Sequence, residues 1–260
     1  MYIIKLGGSV ITNKAKKNCF RQDIMNSLAK EIKRANKEIV LVHGAGSFGH
    51  ILAEQYNLNQ GYKNKEQLLG FSQTHAMVQK LNLLVLDILV KEGIPAVSIP
   101  PHAVIKLDNN KILKMDYIIF KDYLKKDFTP LTFGDVVLDE KLGFSICSGD
   151  LLAQLLAEQF KPEKIIFILD EDGLYTSNPK IDKNAKLINT TTIDELEQFK
   201  TLADTHADVT GGMGGKIETI KKISKLGIDI ILLNGNKPDR LYKTLIGEDT
   251  ISTIINGDKK

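Results

Sequence analysis

Five short apolar runs, Tyr2 to Leu6, Glu38 to Val42, Ala96 to Ile99, Lys164 to Leu169 and Ile228 to Leu233, alternate along the chain with longer segments whose apolar residues recur every three or four positions. This alternation constrains the fold more than any other feature. Short apolar runs bounded by Gly, Pro or charge suit strands buried on both faces, and the periodic segments between them suit helices with one apolar stripe. Ile24, Leu28, Ile32 and Ala35 form one such stripe, and Met77, Leu81, Leu84, Ile88 and Leu89 form another. The pattern predicts an α/β fold with a mostly parallel central sheet covered by helices on both faces. The stretch from Phe128 to Phe144 breaks the rhythm: two strand-like pieces flank Asp139-Glu140-Lys141, which predicts a hairpin. A change of role near Phe160-Lys161-Pro162 sets a lobe boundary, with 1–160 on one side and 161–260 on the other.

Composition narrows the function classes. At 260 residues, 43% hydrophobic and 26% charged, the chain excludes disordered, collagen-like and coiled-coil readings. A net charge of +3 gives no bulk electrostatic case for a nucleic-acid or membrane partner. Cys19 and Cys147 stand far apart, without Cys-x-x-Cys or Cys/His ligand spacing, so neither a disulfide framework nor a zinc site has support and a reducing compartment is the default. Met1-Tyr2-Ile3-Ile4-Lys5 lacks the order of a secretory leader, and Asn82 and Asp87 interrupt the apolar stretch from Leu81 to Val90. The expected place is the cytoplasm.

The first run leads into Lys5-Leu6-Gly7-Gly8-Ser9 and the second into His43-Gly44-Ala45-Gly46-Ser47-Phe48-Gly49-His50. In a parallel sheet both loops lie at the carboxyl edge, where one ligand can meet them. Glycines there let the backbone approach a phosphate, and the helices that follow would present unpaired amides; the alternative is a pair of ordinary tight turns. Gly44 to Gly49 fits G-x-G-x-x-G, but the acidic residue near the required distance is Glu66, in what reads as a helix start, so dinucleotide binding lacks its second element. Where a Walker A loop needs Lys, the chain has His50. A third cluster, Asp208 to Lys216, opens a helical run from Ile217 to Leu226. Lys5 and Lys216, at glycine loops from opposite ends of the chain, suit a transferring phosphoryl group, whose charge is stabilised mainly by positioned cations. His43, His75, His102 and His206 read as structural, whereas His50 sits where a ring N–H could reach a phosphate oxygen.

Together these residues resemble the amino acid kinase superfamily. Lys5 to Ser9, the second glycine loop, Ser148-Gly149-Asp150, Asp170 to Tyr175 with Asn178-Pro179, and the third cluster stand in the family's order. Within the superfamily, His43 to His50, Phe133-Gly134-Asp135-Val136, Asp208 to Met213 and Asn234-Gly235-Asn236 resemble the isopentenyl phosphate kinases of archaeal-type, mevalonate-derived isoprenoid synthesis. Fosfomycin kinases share much of the pattern. The resemblance implies an open three-layer αβα sandwich, a homodimer, an N-terminal lobe for the phosphate acceptor and a C-terminal lobe for ATP. It implies that Lys5, Gly7, Gly8, Ser9, Gly46, Asp170, Tyr175, Gly212 and Lys216 meet ATP, and that Ala45, His50 and Gly149 meet isopentenyl phosphate. Lys14 and Lys216 match lysines near the transferred group, and Asp150 matches an aspartate that holds them. The chain has Leu169-Asp170-Glu171-Asp172-Gly173 where relatives commonly have Thr-Asp-Val-Asp-Gly. An acceptor already carrying a phosphate is largely ionised near neutral pH and needs no general base, and Mg²⁺ would be held chiefly by phosphates and water rather than by a protein cage. Phe71, Val136 and Ile146 are candidates for an apolar wall beyond the acceptor phosphate, or for plain core packing.

Overall fold

The computed structural model describes residues 1–13, 15–177, 179, 181–196 and 214–258. Its strands are β1 (Tyr2–Leu6), β2 (Ile39–His43), β3 (Ala96–Ser98), β4 (Ile105–Asp108), β5 (Lys111–Met115), β6 (Thr129–Phe133), β7 (Asp135–Asp139), β8 (Gly143–Cys147), β9 (Lys164–Leu169), β10 (Leu174–Tyr175), β11 (Leu187–Ile188), β12 (Thr190–Thr191), β13 (Asp229–Asn234) and β14 (Thr253–Ile255). The described helices are α1 (Gly8–Ile11), α2 (Gln22–Ala35), α3 (Gly46–Gln55), α4 (Glu66–Lys91), α5 (Pro101–Val104), α6 (Ile118–Leu124), α7 (Gly149–Phe160), α8 (Gly214–Ser224) and α9 (Arg240–Ile246).

Eight strands form one sheet in the order β12-β14-β13-β9-β1-β2-β6-β3. All five expected runs fall in it. β1 lies at its middle, parallel to β2 on one side and to β9 on the other; β13 extends β9 in parallel, and β14 closes antiparallel to β13. Alternation along β1 sends Ile4 and Leu6 to one face and Ile3 to the other. On the first face they meet Met25, Leu28 and Ile32 of α2, Leu81, Val85 and Ile88 of α4 and Leu241 of α9. On the second they meet Leu152, Leu155 and Leu156 of α7 and Ile220 and Ile223 of α8. Helices on both faces of a largely parallel sheet make the expected αβα sandwich. The sheet runs without interruption across residue 160, because β9 pairs directly with β1.

The helices begin and end on local signals. Asn64 Oδ1 accepts from the amides of Glu66 and Gln67 at the start of α4, and Ser148 Oγ accepts from Leu151 N at the start of α7. Asn36 and Lys161 end α2 and α7 in the left-handed conformation.

Phe128 to Phe144 holds more than a hairpin. The hairpin is there, β7 against β8, with the Asp139 carboxylate accepting from the amides of Asn109, Asn110, Lys141 and Leu142. Thr129–Phe133, however, is an inner strand of the main sheet, parallel to both β2 and β3. β4 and β5 form a second hairpin, and the two hairpins join as the sheet β5-β4-β7-β8. Among the described residues, no helix is long and apolar enough to cross a membrane.

Candidate functional site

The loops after β1 and β2 pack backbone against backbone at the carboxyl edge. A side chain on Gly8 would place its Cβ 2.6 Å from Gly46 N, and one on Gly44 would lie 2.9 Å from Gly8 N. Close approach of the two loops therefore demands glycine on both, and Gly46 also needs it for its φ of +51°. Thr12 stitches them, its hydroxyl donating to Gly8 O at 2.6 Å and accepting from Ser47 N at 3.0 Å. Helices α3 and α7 start at this edge, on Gly46 and Gly149, and the first amides of a helix have no acceptor within it.

Between them lies a charge cluster drawn from three distant parts of the chain. Lys5 Nζ on β1 stands 2.9 Å from Asp150 Oδ1, and Lys216 Nζ, from the first turn of α8, stands 3.3 Å from Asp150 Oδ2. The lysine side chains are 8% and 11% exposed, so these pairs are little screened by water. Burial alone would raise the Asp150 carboxyl, but the Lys5 and Lys216 ammoniums hold it below its ordinary value. Burial and the repulsion of Lys5 pull Lys216 down to about 8, against the opposing attraction of Asp150. Two cations thus share one anion, leaving a surplus of positive charge. A Cβ on Gly149 would lie 3.4 Å from Lys5 Cε, so the start of α7 borders the same cluster.

The other expected residues divide into two groups. Ser9 Oγ donates to Asp170 Oδ1 at 3.0 Å, tying the first glycine loop to the end of β9, and Tyr175 lies beyond on β10, half-buried. Next to them is a network the sequence reading missed. Asp172 Oδ1 accepts from Arg240 Nη1 at 2.6 Å and from Asn234 Nδ2 at 2.9 Å. Burial would raise the Asp172 carboxyl, but these bonds hold it below the usual range. Asn234 stood in a quoted motif, whereas nothing around Arg240 signalled its role. Leu169, one of the departures from the family pattern, packs into the core.

On the other side, Ala45 immediately precedes α3 and His50 is exposed on it. Val136 and Ile146 are cross-strand partners in the β7–β8 hairpin. With Phe71, they pack around Ala53, Leu58 and Phe144 in a small apolar cluster apart from the two main cores. Lys14 and Gly212 lie outside the described residues. His43 is structural, as expected: wholly buried, it stacks on Phe133 with centroids 5.2 Å apart, and burial lowers its pKa to about 4. His102 stands in the short helix α5.

The family model for the amino acid kinase family matches residues 1–234. The chain belongs to the amino acid kinase family. Within that family it is 39% identical to the isopentenyl phosphate kinase of Methanothermobacter thermautotrophicus, over 99% of both chains. It is 34% identical to the isopentenyl phosphate kinase of Thermoplasma acidophilum, over 98% of this chain and 100% of that one. A solved isopentenyl phosphate kinase structure superposes with a TM-score of 0.86 at 36% identity, covering 98% of this chain and 100% of the other. The amino acid kinase fold of the expectation is thus the fold observed, and its members named isopentenyl phosphate kinase match end to end.

Proposed function

We propose that this chain transfers the γ-phosphoryl group of ATP to isopentenyl phosphate, giving isopentenyl diphosphate and ADP, as a step of mevalonate-derived isoprenoid synthesis. The observation that carries the chemistry is the Lys5–Asp150–Lys216 cluster at the starts of α3 and α7. The full-length match to isopentenyl phosphate kinases supports the acceptor.

In this reading residues 1–160 hold the acceptor and 161–260 hold ATP. Lys5 and Lys216, with Lys14, neutralise charge on the transferring group, while Asp150 keeps Lys5 and Lys216 apart and aimed. Gly7, Gly8, Ser9, Gly46, Asp170, Tyr175 and Gly212 serve the nucleotide, Asp170 being already fixed by Ser9. Ala45, His50 and Gly149 serve the acceptor phosphate, whose attacking oxygen carries no proton to remove. The apolar cluster around Phe71, Val136 and Ile146 takes the hydrocarbon tail. Bound as the ATP complex, magnesium would supply charge neutralisation on the phosphates. The donor set suits a phosphate-held ion, since both Asp150 oxygens face ammoniums and Asp170 accepts from Ser9.

The assembly in this reading is a cytoplasmic homodimer. Both cysteines are free, which suits a reducing compartment. Leu69, Ala76, Leu83 and Val90 recur every seventh residue as an exposed stripe along α4, a surface that a second copy could cover. Sedimentation of wild type and Leu83→Glu checks this, a monomeric wild type refuting it.

The test of function is ADP release measured with isopentenyl phosphate, dimethylallyl phosphate, fosfomycin, carbamate, UMP and acetylglutamate in parallel. The highest kcat/KM is expected with isopentenyl phosphate; a higher value for any acceptor outside the prenyl phosphates overturns the assignment.

A further inference from the structure

Away from the lysine cluster, His75 of α4, His102 of α5 and Asp135 at the start of β7 bring three metal-ligating atoms within 4.8 Å of one another. His75 Nδ1 stands 2.8 Å, and His102 Nδ1 3.7 Å, from the same oxygen, Asp135 Oδ2. The two rings meet edge to face with centroids 4.3 Å apart. We propose that His75, His102 and Asp135 form a binding site for a divalent transition metal ion of the zinc type, separate from the magnesium that accompanies ATP.

The donor set selects the class of ion. Two imidazoles and one carboxylate suit zinc and its neighbours, whereas magnesium prefers oxygen donors throughout. Geometry agrees. Metal bonds of about 2.0 to 2.1 Å at tetrahedral angles hold donor atoms about 3.3 Å apart, and the observed 2.8 and 3.7 Å lie on either side of that value. The 2.8 and 3.7 Å separations need to change by only a few tenths of an ångström, and the third, between the two imidazole nitrogens and within 4.8 Å, closes by up to about 1.5 Å through rotation of the partly exposed rings.

The surroundings have the features of a built site. The Asp135 side chain is wholly shielded from water, and its other oxygen, Oδ1, accepts from Val136 N at 2.8 Å. The carboxylate that would bind the ion is thereby held in one orientation, as carboxylate ligands of metals are. The histidine side chains remain 29% and 36% exposed. This leaves an entry path and room for a water as fourth ligand, the arrangement of an open rather than a closed zinc site. Three separate segments supply the ligands, at residues 75, 102 and 135, so spacing along the chain could not reveal them.

Position gives the ion a consequence. His75 lies one helical turn beyond Phe71, and Asp135 directly precedes Val136. A bound ion would pin α4 to the β7–β8 hairpin beside the small apolar cluster. The site itself does not depend on which acceptor the enzyme uses, and its test reads metal binding, so its failure and the failure of the proposed acceptor are distinguishable.

The experiment is titration of the chelator-treated full chain with Co²⁺, followed by displacement with Zn²⁺. One equivalent of Co²⁺ is expected to bind saturably at micromolar concentration, giving visible d–d absorption that Zn²⁺ removes, and Zn²⁺ should raise the melting temperature. His102→Ala, at a half-exposed position, should keep its fold and circular dichroism while weakening affinity by about tenfold or more. His75→Asn should do the same, and His50→Ala should bind as the wild type does. No saturable binding, or binding unchanged in folded His102→Ala and His75→Asn, overturns the proposal.

Discussion

Asp150→Asn removes the one anion that the two buried lysines share while keeping the shape of the side chain. At 3.3 Å, and with an effective dielectric constant near 20, the attraction between Lys216 and Asp150 is about 5 kcal/mol. Water reaches the carboxylate, which is 23% exposed, and weakens this. Loss of an opposite charge at this range lowers a lysine by about one to two pH units. Lys216 already stands at about 8. In the wild type, kcat/KM should therefore fall as pH rises through about 8, as Lys216 gives up its charge. In Asp150→Asn that falling limb should move to between about 6 and 7, leaving roughly a tenth of Lys216 charged at pH 7.5. With the lysines also misplaced, kcat at that pH should drop roughly a hundredfold to a thousandfold and recover in part on acidification. The assay is the pH profile of kcat/KM for both proteins side by side, since their ratio cancels the acceptor's own titration near pH 6. A folded Asp150→Asn protein whose falling limb stays near 8 would refute the reasoning.

Three further outcomes are expected. His50→Ala should lose roughly 1.5 to 3 kcal/mol in kcat/KM for the acceptor, with Asn and Gln retaining more because they still donate, and little change for ATP; equal loss in all three variants, with a wild-type profile that falls as the His50 ring protonates, would make it a base instead. Phe71→Ala or Ile146→Ala should accept longer prenyl phosphates with KM for ATP nearly constant, and an unchanged chain-length profile would leave these residues to packing alone. For His43, the unfolded chain takes up a proton below its ordinary 6.5, while the fold refuses it down to about 4. Stability carried by this residue is thus complete above pH 6.5 and falls between there and 4 by up to about 3 kcal/mol. Urea unfolding at pH 7 and 4.5 should show a smaller acid loss in His43→Asn than in wild type.

What the sequence disclosed followed the strength of each local signal. The five apolar runs and the α2 and α4 stripes appeared within a residue or so of their places because burial on both faces leaves few polar positions. β6 escaped because Pro130 reads against an inner strand. Thr129 and Leu131 bond to the β3 side, through Thr129 N to Pro95 O and Ile99 N to Leu131 O, so Pro130 turns its nitrogen the other way. There the ladder with β2 begins only at Leu131, and no hydrogen bond is lost. The β4–β5 hairpin carried a readable sign, Asn109-Asn110, both with positive φ of 51° and 63°. Lys5 and Lys216 were legible through their glycine-rich loops, and Asp150 only through the family resemblance that its Ser-Gly-Asp motif helps to carry. Arg240 and the His75, His102 and Asp135 group were not, because a contact between residues far apart in sequence leaves no mark on the spacing of either.

The place of β1 between β2 and β9 has a consequence for synthesis. Its first neighbour arrives with residue 43, but its second is complete only at residue 169. At about 5 to 20 residues per second, the amino-terminal strand presents one bare edge for on the order of ten seconds while the ribosome works through the intervening stretch. A strand as apolar as Tyr2–Leu6 is a template for mispairing during that interval. Chaperone demand in the cell should therefore depend on elongation rate between residues 43 and 169, and slowing translation there should lower soluble yield without any change in the finished enzyme.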